Sequence, residues 1–369
     1  MLLKNLCGLL KKVKKREFFR PSAKVGNFSG QLLRQPYVKE IMTTTVADID
    51  IDIDIQPRQM FKGTHYSLSS LQHHDDEPIV VCVHGIGSNL FHYESLTSVL
   101  ISKGFTVLSY DLIGRGHSKL STDNNDDIVV DGTNNNETDN NESAYTANSH
   151  IKQLKELITF LFYNNNNNNT NDKKYHLIGH SMGGILAALY ANTYPLEILS
   201  LTLLAPAGLM DLTMIKYIRS ISCIHSMVYN YLHGNDKNYL ENELKTAAPG
   251  VETKAVHKSY RIKQTIPTTF DAFFQCILHF PLYGCNEQIN QLASKHQHIK
   301  TFIIWGDNDK TIPLDPSFHR WTSIYETYHH PHLTTKIFPN GRHAFFLQFA
   351  DEFNQIYYDY LHTNFASTA

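Results

Sequence analysis

Residues 176–184 read His-Leu-Ile-Gly-His-Ser-Met-Gly-Gly, which places Gly179, Ser181 and Gly183 in a G-x-S-x-G pattern. An apolar run precedes the pattern, and a helix-forming sequence, Ile-Leu-Ala-Ala-Leu-Tyr-Ala, follows it at 185–191. Glycines two residues on either side of a serine allow a tight strand-to-helix turn. Such a turn lifts the hydroxyl to the edge of a sheet, at a helix N-terminus where developing negative charge is favoured. The stretch therefore predicts a nucleophilic serine at Ser181.

The chain on both sides of this stretch alternates between short apolar runs and helical patterns. The runs, which are rich in β-branched residues, are 79–83, 105–109, 175–178, 199–204, 299–304 and 334–338. Strands that are apolar on both faces and alternate with helices predict an α/β protein with a mostly parallel sheet covered on both sides. Residues 209–298 interrupt the alternation with a long, aromatic and largely helical segment, which we interpret as a helical cap inserted between late strands.

Four further motifs lie at the ends of these runs. They are Val-His-Gly-Ile-Gly-Ser at 83–88, Asp-Leu-Ile-Gly-Arg-Gly-His-Ser at 111–118, Trp-Gly-Asp-Asn-Asp at 305–309 and Asn-Gly-Arg-His at 340–343. Together with the G-x-S-x-G stretch, these motifs resemble the α/β-hydrolase superfamily, and they are closest to its serine esterase and monoacylglycerol-lipase-like branch. The resemblance covers about residues 61–361, apart from two Asn-rich segments and much of the cap. It implies the α/β-hydrolase fold.

The resemblance also implies a catalytic triad in the chain order serine, aspartate, histidine. Ser181 would attack a substrate carbonyl, and His343 would take the serine proton and return it to the leaving group. Asp309 would orient the imidazole, and the backbone N–H groups of Ile86 and Met182 would hold the oxyanion. We therefore expect a serine hydrolase that cleaves carboxylic esters through an acyl-enzyme, with a small-molecule ester as its substrate.

The choice of aspartate depends on a count rather than on periodicity. Asp307 and Asp309 share strand parity, so side-chain alternation does not separate them. The superfamily pattern G-x-x-D, counted from Gly306, falls on Asp309, which leaves Asp307 as a turn residue that accepts local N–H groups. At the histidine the sequence departs from the family pattern. Many members place glycine directly before the histidine, whereas here Arg342 intervenes.

One segment of the cap carries a pronounced apolar stripe. Phe270, Phe273, Phe274, Ile277 and Leu278 recur at i, i+3, i+4, i+7 and i+8, the spacing of one helix face. The stripe either packs only into the core or also lines an acyl pocket, for which Phe270, Phe273 and Phe274 are the candidates. An apolar pocket would favour uncharged or acyl-chain esters, including monoacylglycerol-like ones, over charged metabolites.

Two other functions stay open from the sequence. The same triad also serves hydrolysis of a carbon–carbon bond or a small amide, and nothing in the sequence excludes it. A third interpretation is a non-catalytic α/β-hydrolase scaffold that binds a partner, although such scaffolds usually lack a triad member. No metal is expected, because the His-x-His pairs at 296–298 and 330–332 have no cysteine or carboxylate at the usual ligand spacing. No cofactor is expected either.

Charge is distributed unevenly along the chain. The net charge is −2 and the pI is about 6.9, values that do not favour nucleic-acid binding. Residues 1–40 nevertheless contain ten Lys/Arg and two Asp/Glu, a local charge of +8. Within them, residues 1–20 place leucines at helical spacing among lysines. This pattern is compatible with a disordered basic tail, a mitochondrial targeting peptide or a helix in peripheral contact with a membrane. No run of 18 apolar residues occurs, so a transmembrane helix is not expected.

These observations divide the chain into an arm, a core and a cap. We expect a basic, low-complexity arm over 1–55, an α/β-hydrolase core over 56–208 and 299–369, and the helical cap over 209–298. The Asn-rich tracts at 121–142 and 164–171 cannot bury enough apolar surface to offset their ordering entropy, and they are predicted to decorate surface loops. Five scattered cysteines differ from a dense disulfide framework. We therefore expect an intracellular protein, cytoplasmic or mitochondrial.

Overall fold

The computed structural model describes the chain over the ranges 59–70, 78–119, 143–163, 173–210, 216, 219–220, 225–266 and 268–365. The predicted arm at 1–55 and the predicted Asn-rich insertions at 121–142 and 164–171 lie outside these ranges. The interpretations placed on those segments therefore stay predictions.

The described chain is built around an eight-stranded sheet with the strand order β1-β2-β4-β3-β5-β6-β7-β8. The strands are β1 (Gln59–Phe61), β2 (Thr64–Ser69), β3 (Ile79–Val83), β4 (Thr106–Tyr110), β5 (Tyr175–His180), β6 (Ile198–Leu204), β7 (Lys300–Gly306) and β8 (Leu333–Phe338). The pairs β1–β2 and β2–β4 are antiparallel, and the strands from β3 to β8 run parallel. This mostly parallel sheet confirms the predicted α/β class.

Helices flank the sheet and fill the connections between its strands. They are α1 (Glu94–Ser102), α2 (Ala147–Phe162), α3 (Met182–Thr193), α4 (His225–Thr246), α5 (Val251–Thr265), α6 (Thr268–His279), α7 (Asn286–Lys295), α8 (Leu314–Thr327), α9 (Phe345–Gln348) and α10 (Ala350–Phe365). Within the described ranges, no helix combines the length and the apolar character needed to cross a membrane.

The central strands form because their apolar side chains are buried on both faces. β3 reads Ile-Val-Val-Cys-Val, and all of its residues are buried, as are all residues of β5. A parallel strand between two layers of helices has no solvent face. Each apolar side chain therefore stabilises the fold by about 25 cal/mol per Å² removed from water.

The hairpin at the edge of the sheet is an element that the apolar runs do not predict. β1 and β2 meet at Lys62 and Gly63, whose φ angles of 44° and 74° are those of a tight hairpin turn. β2 continues the sheet by pairing antiparallel with β4. Its burial falls from buried to half-buried along Thr64–Ser69. β1, the edge strand, has three residues and is largely exposed, and β2 is fully buried only at its first two residues, so neither shows the doubly apolar run that the sequence pattern detects.

The segments that carry the predicted site residues leave one edge of the sheet. β3, β5, β7 and β8 are parallel, and the segments after their carboxyl ends hold, in turn, Ile86, Ser181, Asp309 and His343. The carboxyl ends of parallel strands lie at the same edge, where α/β proteins commonly bind their ligands. The topology therefore gathers residues that are up to 257 positions apart in the chain.

Helices α4 to α7 lie between β6 and β7, in the interval predicted to hold the cap. α6 buries Phe270, Phe274 and Ile277, whereas Phe273 and Leu278 are half-buried. α7 packs against α3. The last helix of the interval therefore belongs to the layer that covers the sheet.

Candidate active site

Ser181 occupies the turn between β5 and α3, which end and begin at its two neighbours His180 and Met182. Its φ and ψ are 57° and −118°, a combination that side chains with a Cβ rarely adopt. Its N–H donates to Leu204 O at 2.9 Å, and its carbonyl accepts from Gly184 N at 3.0 Å. β6 and the first turn of α3 thus hold the serine in a strained conformation.

Two glycines make this turn possible because other backbone lies where their Cβ atoms would be. A Cβ at Gly179 would lie 2.3 Å from Gly183 O, and a Cβ at Gly183 would lie 2.2 Å from Val83 O. Contacts this short do not occur with real Cβ atoms. The pattern read from the sequence therefore has a direct cause, which is that α3 packs against the end of β3 without intervening side chains.

The loop after β3 passes directly beside the serine. A Cβ at Gly85 would lie 3.3 Å from Ser181 Cβ. Ile86 follows in this loop, and Met182 is the first residue of α3, whose N–H has no acceptor within its own helix. Met182 is thus next to Ser181 in the chain, and Ile86 follows the glycine that lies across from Ser181. Their role as oxyanion donors stays a prediction.

His84 holds this loop to the neighbouring strand connection. Its Nε2 accepts a hydrogen bond from Leu112 N at 3.0 Å, so the proton is on Nδ1, which donates to Gly85 O at 2.8 Å. Burial lowers the pKa of His84 to about 4. The ring is therefore neutral at ordinary pH, and its two hydrogen bonds link the loop after β3 to the loop after β4.

Arg115 is a second residue that links the loop after β4 to the loop after β3, and its sequence motif did not predict this role. Its side chain is fully buried, and Nε donates to Ile86 O at 2.7 Å. It follows Gly114 and precedes Gly116, whose φ angles are 67° and 53°. The signal in the sequence was an arginine between two turn glycines. Only the fold shows that this turn faces the loop that carries Ile86.

His343 and Asp309 are in contact. His343 Nδ1 lies 2.7 Å from Asp309 Oδ2, while Asp309 Oδ1 accepts from Thr311 N at 2.8 Å and from Ile312 N at 2.9 Å. The Asp309 carboxylate is fully buried, and the His343 side chain is 20% exposed. A carboxylate at Nδ1 fixes the proton there and leaves Nε2 for proton transfer. Asp307, the alternative acid, lies exposed.

Close backbone contact brings these two residues together. A Cβ at Gly306 would lie 2.2 Å from Gly341 O, and Asn308 N donates to that same carbonyl at 2.9 Å. The loop after β7 and the loop after β8 therefore touch along their main chains, so that Asp309 and His343 face each other.

His180 supports the histidine loop from the core. Its Nε2 donates to His343 O at 3.0 Å, and the two rings lie 4.6 Å apart between centroids. Burial lowers the pKa of His180 well below its ordinary value, and the neighbouring imidazole of His343 lowers it further. His180, which directly precedes Ser181, is thus neutral and is hydrogen-bonded to the backbone of His343.

The cap meets the core next to this site. Ser259 of α5 contacts Asn89 Nδ2 and His92 Nε2 at 3.1 Å each. Both of those residues lie just beyond the loop that carries Ile86. This polar contact joins the cap to the wall of the site.

The proposed pocket residues pack mainly within the cap. The rings of Phe270 and Phe274 lie 5.2 Å and 5.3 Å from the ring of Tyr229 in α4, in edge-on geometry. Phe273 is half-buried, with its ring 5.9 Å from that of Phe270. These contacts stabilise the cap, and a role in substrate binding stays a prediction.

The histidine pairs considered as metal ligands lie at the other edge of the sheet. The pairs at 296–298 and 330–332 precede β7 and β8, whereas Ser181 follows the carboxyl end of β5. In the part of the chain that the structure describes, no group of three or more His, Cys, Asp or Glu is placed to hold a metal ion.

Comparison with known proteins gives a family match over most of the chain. The family model for the alpha/beta hydrolase fold matches residues 78–350. Monoacylglycerol lipase ABHD6 of Bos taurus is 26% identical over 145 residues, which are 39% of this chain and 35% of that protein. A proline iminopeptidase of Lactobacillus delbrueckii subsp. bulgaricus is 30% identical over 123 residues, 33% of each chain. The matched stretch thus spans about a third of the length of these curated relatives.

The fold also matches solved structures. A crystal structure from work on carboxylesterases of Nitrososphaera gargenis has a TM-score of 0.59 and 17% identity, and the match covers 83% of this chain and 96% of that chain. At this level of identity the likeness concerns the fold alone.

Proposed function

The chain belongs to the α/β-hydrolase family, and from that membership we propose that it is a serine hydrolase that cleaves carboxylic esters. The observation that carries the proposal is the 2.7 Å contact between His343 Nδ1 and the buried Asp309 carboxylate. It lies at the sheet edge where Ser181 occupies a strained turn. A serine, an imidazole and a carboxylate are the groups that acyl transfer through a covalent intermediate requires.

In the first half of the proposed reaction, Ser181 Oγ attacks the ester carbonyl while His343 Nε2 takes its proton. Asp309 stays ionised and stabilises the imidazolium through the bond to Nδ1. The carbonyl oxygen becomes an oxyanion, to which the N–H groups of Ile86 and Met182 donate hydrogen bonds. Loss of one such donor costs about 3–4 kcal/mol of transition-state stabilisation. Collapse of the intermediate breaks the bond to the alcohol, and His343 returns the proton to that leaving group.

In the second half, water replaces the alcohol. His343 takes a proton from the water, whose oxygen attacks the acyl-enzyme carbonyl. The same donors receive the second oxyanion. The carboxylic acid leaves as Ser181 regains its proton, so that one water is consumed for each ester bond cleaved.

We assign the substrate to apolar acyl esters of the monoacylglycerol type. Two observations support this choice. The relatives that match the chain include monoacylglycerol lipases, and α6 of the cap is rich in phenylalanine. Apolar linings with few polar groups suit an acyl chain rather than a charged metabolite.

Amide hydrolysis is a second candidate for the same residues. The match to a proline iminopeptidase is the observation that favours it. The triad chemistry is unchanged, except that His343 would protonate an amine leaving group. The substrate series described next separates the two candidates.

The test is labelling with a fluorophosphonate, followed by turnover of p-nitrophenyl esters of increasing chain length and of a prolyl p-nitroanilide. We expect covalent labelling of the wild-type protein and of Ser323→Ala, which changes a serine on exposed α8 surface, but none of Ser181→Ala. Ester turnover should exceed anilide turnover and rise with acyl length. Labelling that persists in Ser181→Ala would refute the assignment of the nucleophile.

A further inference from the structure

Arg342, the residue that separates Gly341 from His343, directs its side chain away from the core and into the cap. Its Nη2 forms an ion pair with Glu252 Oε2, and its Nη1 donates to Thr246 O at 2.5 Å. Thr246 is the last residue of α4, and Glu252 lies in the first turn of α5. Arg342 therefore binds the junction of two cap helices.

Glu252, the partner of Arg342 in the cap, is also held by a hydrogen bond within the cap itself. Glu252 Oε2 also accepts from Ala248 N at 2.6 Å, within the α4–α5 connection. The Glu252 side chain is only 6% exposed, whereas that of Arg342 is 30% exposed. A nearly buried carboxylate is costly to leave without a cation, so the pair is not an ordinary surface salt bridge.

The other end of the same loop is anchored in the core. Arg342 N donates at 2.9 Å to Oε1 of Gln348, which lies in α9 of the core. One residue further on, His343 contacts Asp309 through its ring, and its carbonyl accepts from His180. The backbone of His343 thus lies between core anchors and a cap anchor only one residue away.

We propose that Arg342 is a positioning residue that, through Glu252, makes the placement of His343 depend on the cap. The proposal rests on the proposed serine-hydrolase function. It assigns Arg342 no contact with substrate: the guanidinium acts through the backbone that it shares with the general base. A cap that shifts on substrate entry would carry the histidine loop with it, so that cap position and proton transfer are coupled.

The chain offers a matched control in a second ion pair between cap and core. Lys258 of α5 lies 2.7 Å from Glu94 Oε1 of α1, and the Glu94 side chain is 56% exposed. This pair joins the same cap helix to the core, but its core partner is on α1 and not on the histidine loop. Lys258→Ala therefore weakens cap attachment without touching the loop that carries His343.

The experiment measures kcat and KM for Arg342→Ala, Arg342→Lys, Glu252→Gln, Lys258→Ala and the double variant of Arg342→Ala with Glu252→Gln. The amide in Glu252→Gln keeps an acceptor for Ala248 N but removes the charge. We expect Arg342→Ala and Glu252→Gln to lower kcat about tenfold with KM changed less than twofold, and Arg342→Lys to recover part of the loss. The double variant should be no worse than Arg342→Ala alone, because Arg342→Ala already removes the ion pair that Glu252→Gln breaks.

A purely structural role for Arg342 gives a different result. In that case Arg342→Ala and Lys258→Ala would both raise KM at unchanged kcat, and the proposal would be wrong. Hydrogen exchange of backbone amides 341–345 gives a readout that does not depend on turnover. Exchange should become faster in Arg342→Ala and Glu252→Gln and stay unchanged in Lys258→Ala. If the wild-type protein hydrolyses no ester, the proposed function fails, and the exchange data still decide whether Arg342 holds the loop.

Discussion

At the scale of single residues, two aspartates two positions apart have different surroundings. Asp309 is buried, with one carboxylate oxygen on His343 and the other on the N–H groups of Thr311 and Ile312. Asp307 lies exposed at the start of the same turn. Three donors therefore hold the Asp309 carboxylate in one orientation against the His343 ring, whereas nothing comparable holds an exposed Asp307 there.

Asp309→Asn should lower kcat by roughly 10⁴-fold, because an amide at this position favours the wrong imidazole tautomer. Asp307→Asn is the matched change at the exposed position, and we expect less than a fivefold effect from it, on the order of other surface substitutions. The measurement is steady-state turnover of a p-nitrophenyl ester, with circular dichroism to verify folding. A larger loss from Asp307→Asn would show that Asp307 is the acid.

Gly85→Ala tests the loop that carries the proposed oxyanion donor. The added Cβ would lie 3.1 Å from His180 Nδ1 and 3.3 Å from Ser181 Cβ, so the loop must shift by a few tenths of an ångström. We expect kcat to fall about tenfold or more, since oxyanion donors act over a narrow range of distance. Gly87→Ala, in the same loop, meets no atom within 4 Å and should change kcat far less. Equal losses from both variants would contradict this account.

At the scale of elements, the β5–turn–α3 unit depends on the direct packing of α3 against β3. In Gly183→Ala the added Cβ would lie 2.2 Å from Val83 O and 2.4 Å from His84 O, both of which are backbone atoms that cannot rotate away. We expect the free energy of unfolding to fall by about 3 kcal/mol, the upper end for overpacked sites. Urea titration followed by tryptophan fluorescence measures it.

Gly234→Ala is the control for this prediction, because it makes the same change where α4 is open. No atom lies within 4 Å of the added Cβ. Alanine should therefore stabilise the helix by about 0.5–1 kcal/mol relative to glycine. A stability loss in Gly234→Ala, or none in Gly183→Ala, would show that these contacts are not what limits the site.

At the scale of the whole molecule, several buried histidines make the fold sensitive to acid. Burial lowers the pKa of His84, His150 and His176 to about 4 each, from an ordinary value of 6.5. In the unfolded chain these rings take up a proton as the pH falls through 6.5, whereas in the folded protein they stay neutral until about pH 4. The unfolded state therefore binds more protons in this window, and the free energy of unfolding decreases as the pH is lowered.

The free energy of unfolding should decrease steadily between pH 6.5 and pH 5, by up to about 1.4 kcal/mol per pH unit for each of these histidines. Urea titrations at pH 7, 6 and 5 measure the slope. His176→Gln, which retains a polar group beside Ser200, should reduce it. A free energy of unfolding that stays constant or rises as the pH is lowered from 6.5 to 5 would contradict the assignment of neutral buried histidines.

Local patterns predicted much of the fold. The doubly apolar runs located the strands from β3 to β7, because a parallel strand between helices must be apolar along its length. The β1–β2 hairpin was missed, since β1 is short and largely exposed and β2 is only half-buried over most of its length. In the candidate site, the glycines around Ser181 could be recognised because the turn and its steric demands lie within five residues.

The sequence by itself determined the parts of this protein whose physical cause is local: the apolar strands, the strained serine turn and the order of serine, aspartate and histidine along the chain. The tertiary structure alone decided the contacts between residues distant in the chain. Strand parity is equal for Asp307 and Asp309, and only packing buries one of them against His343. Arg115 reaches the Ile86 carbonyl 29 residues away, and Arg342 reaches Glu252 at a separation of 90. Neither pairing leaves a trace in periodicity or spacing, because it depends on which loops the sheet and the cap bring together.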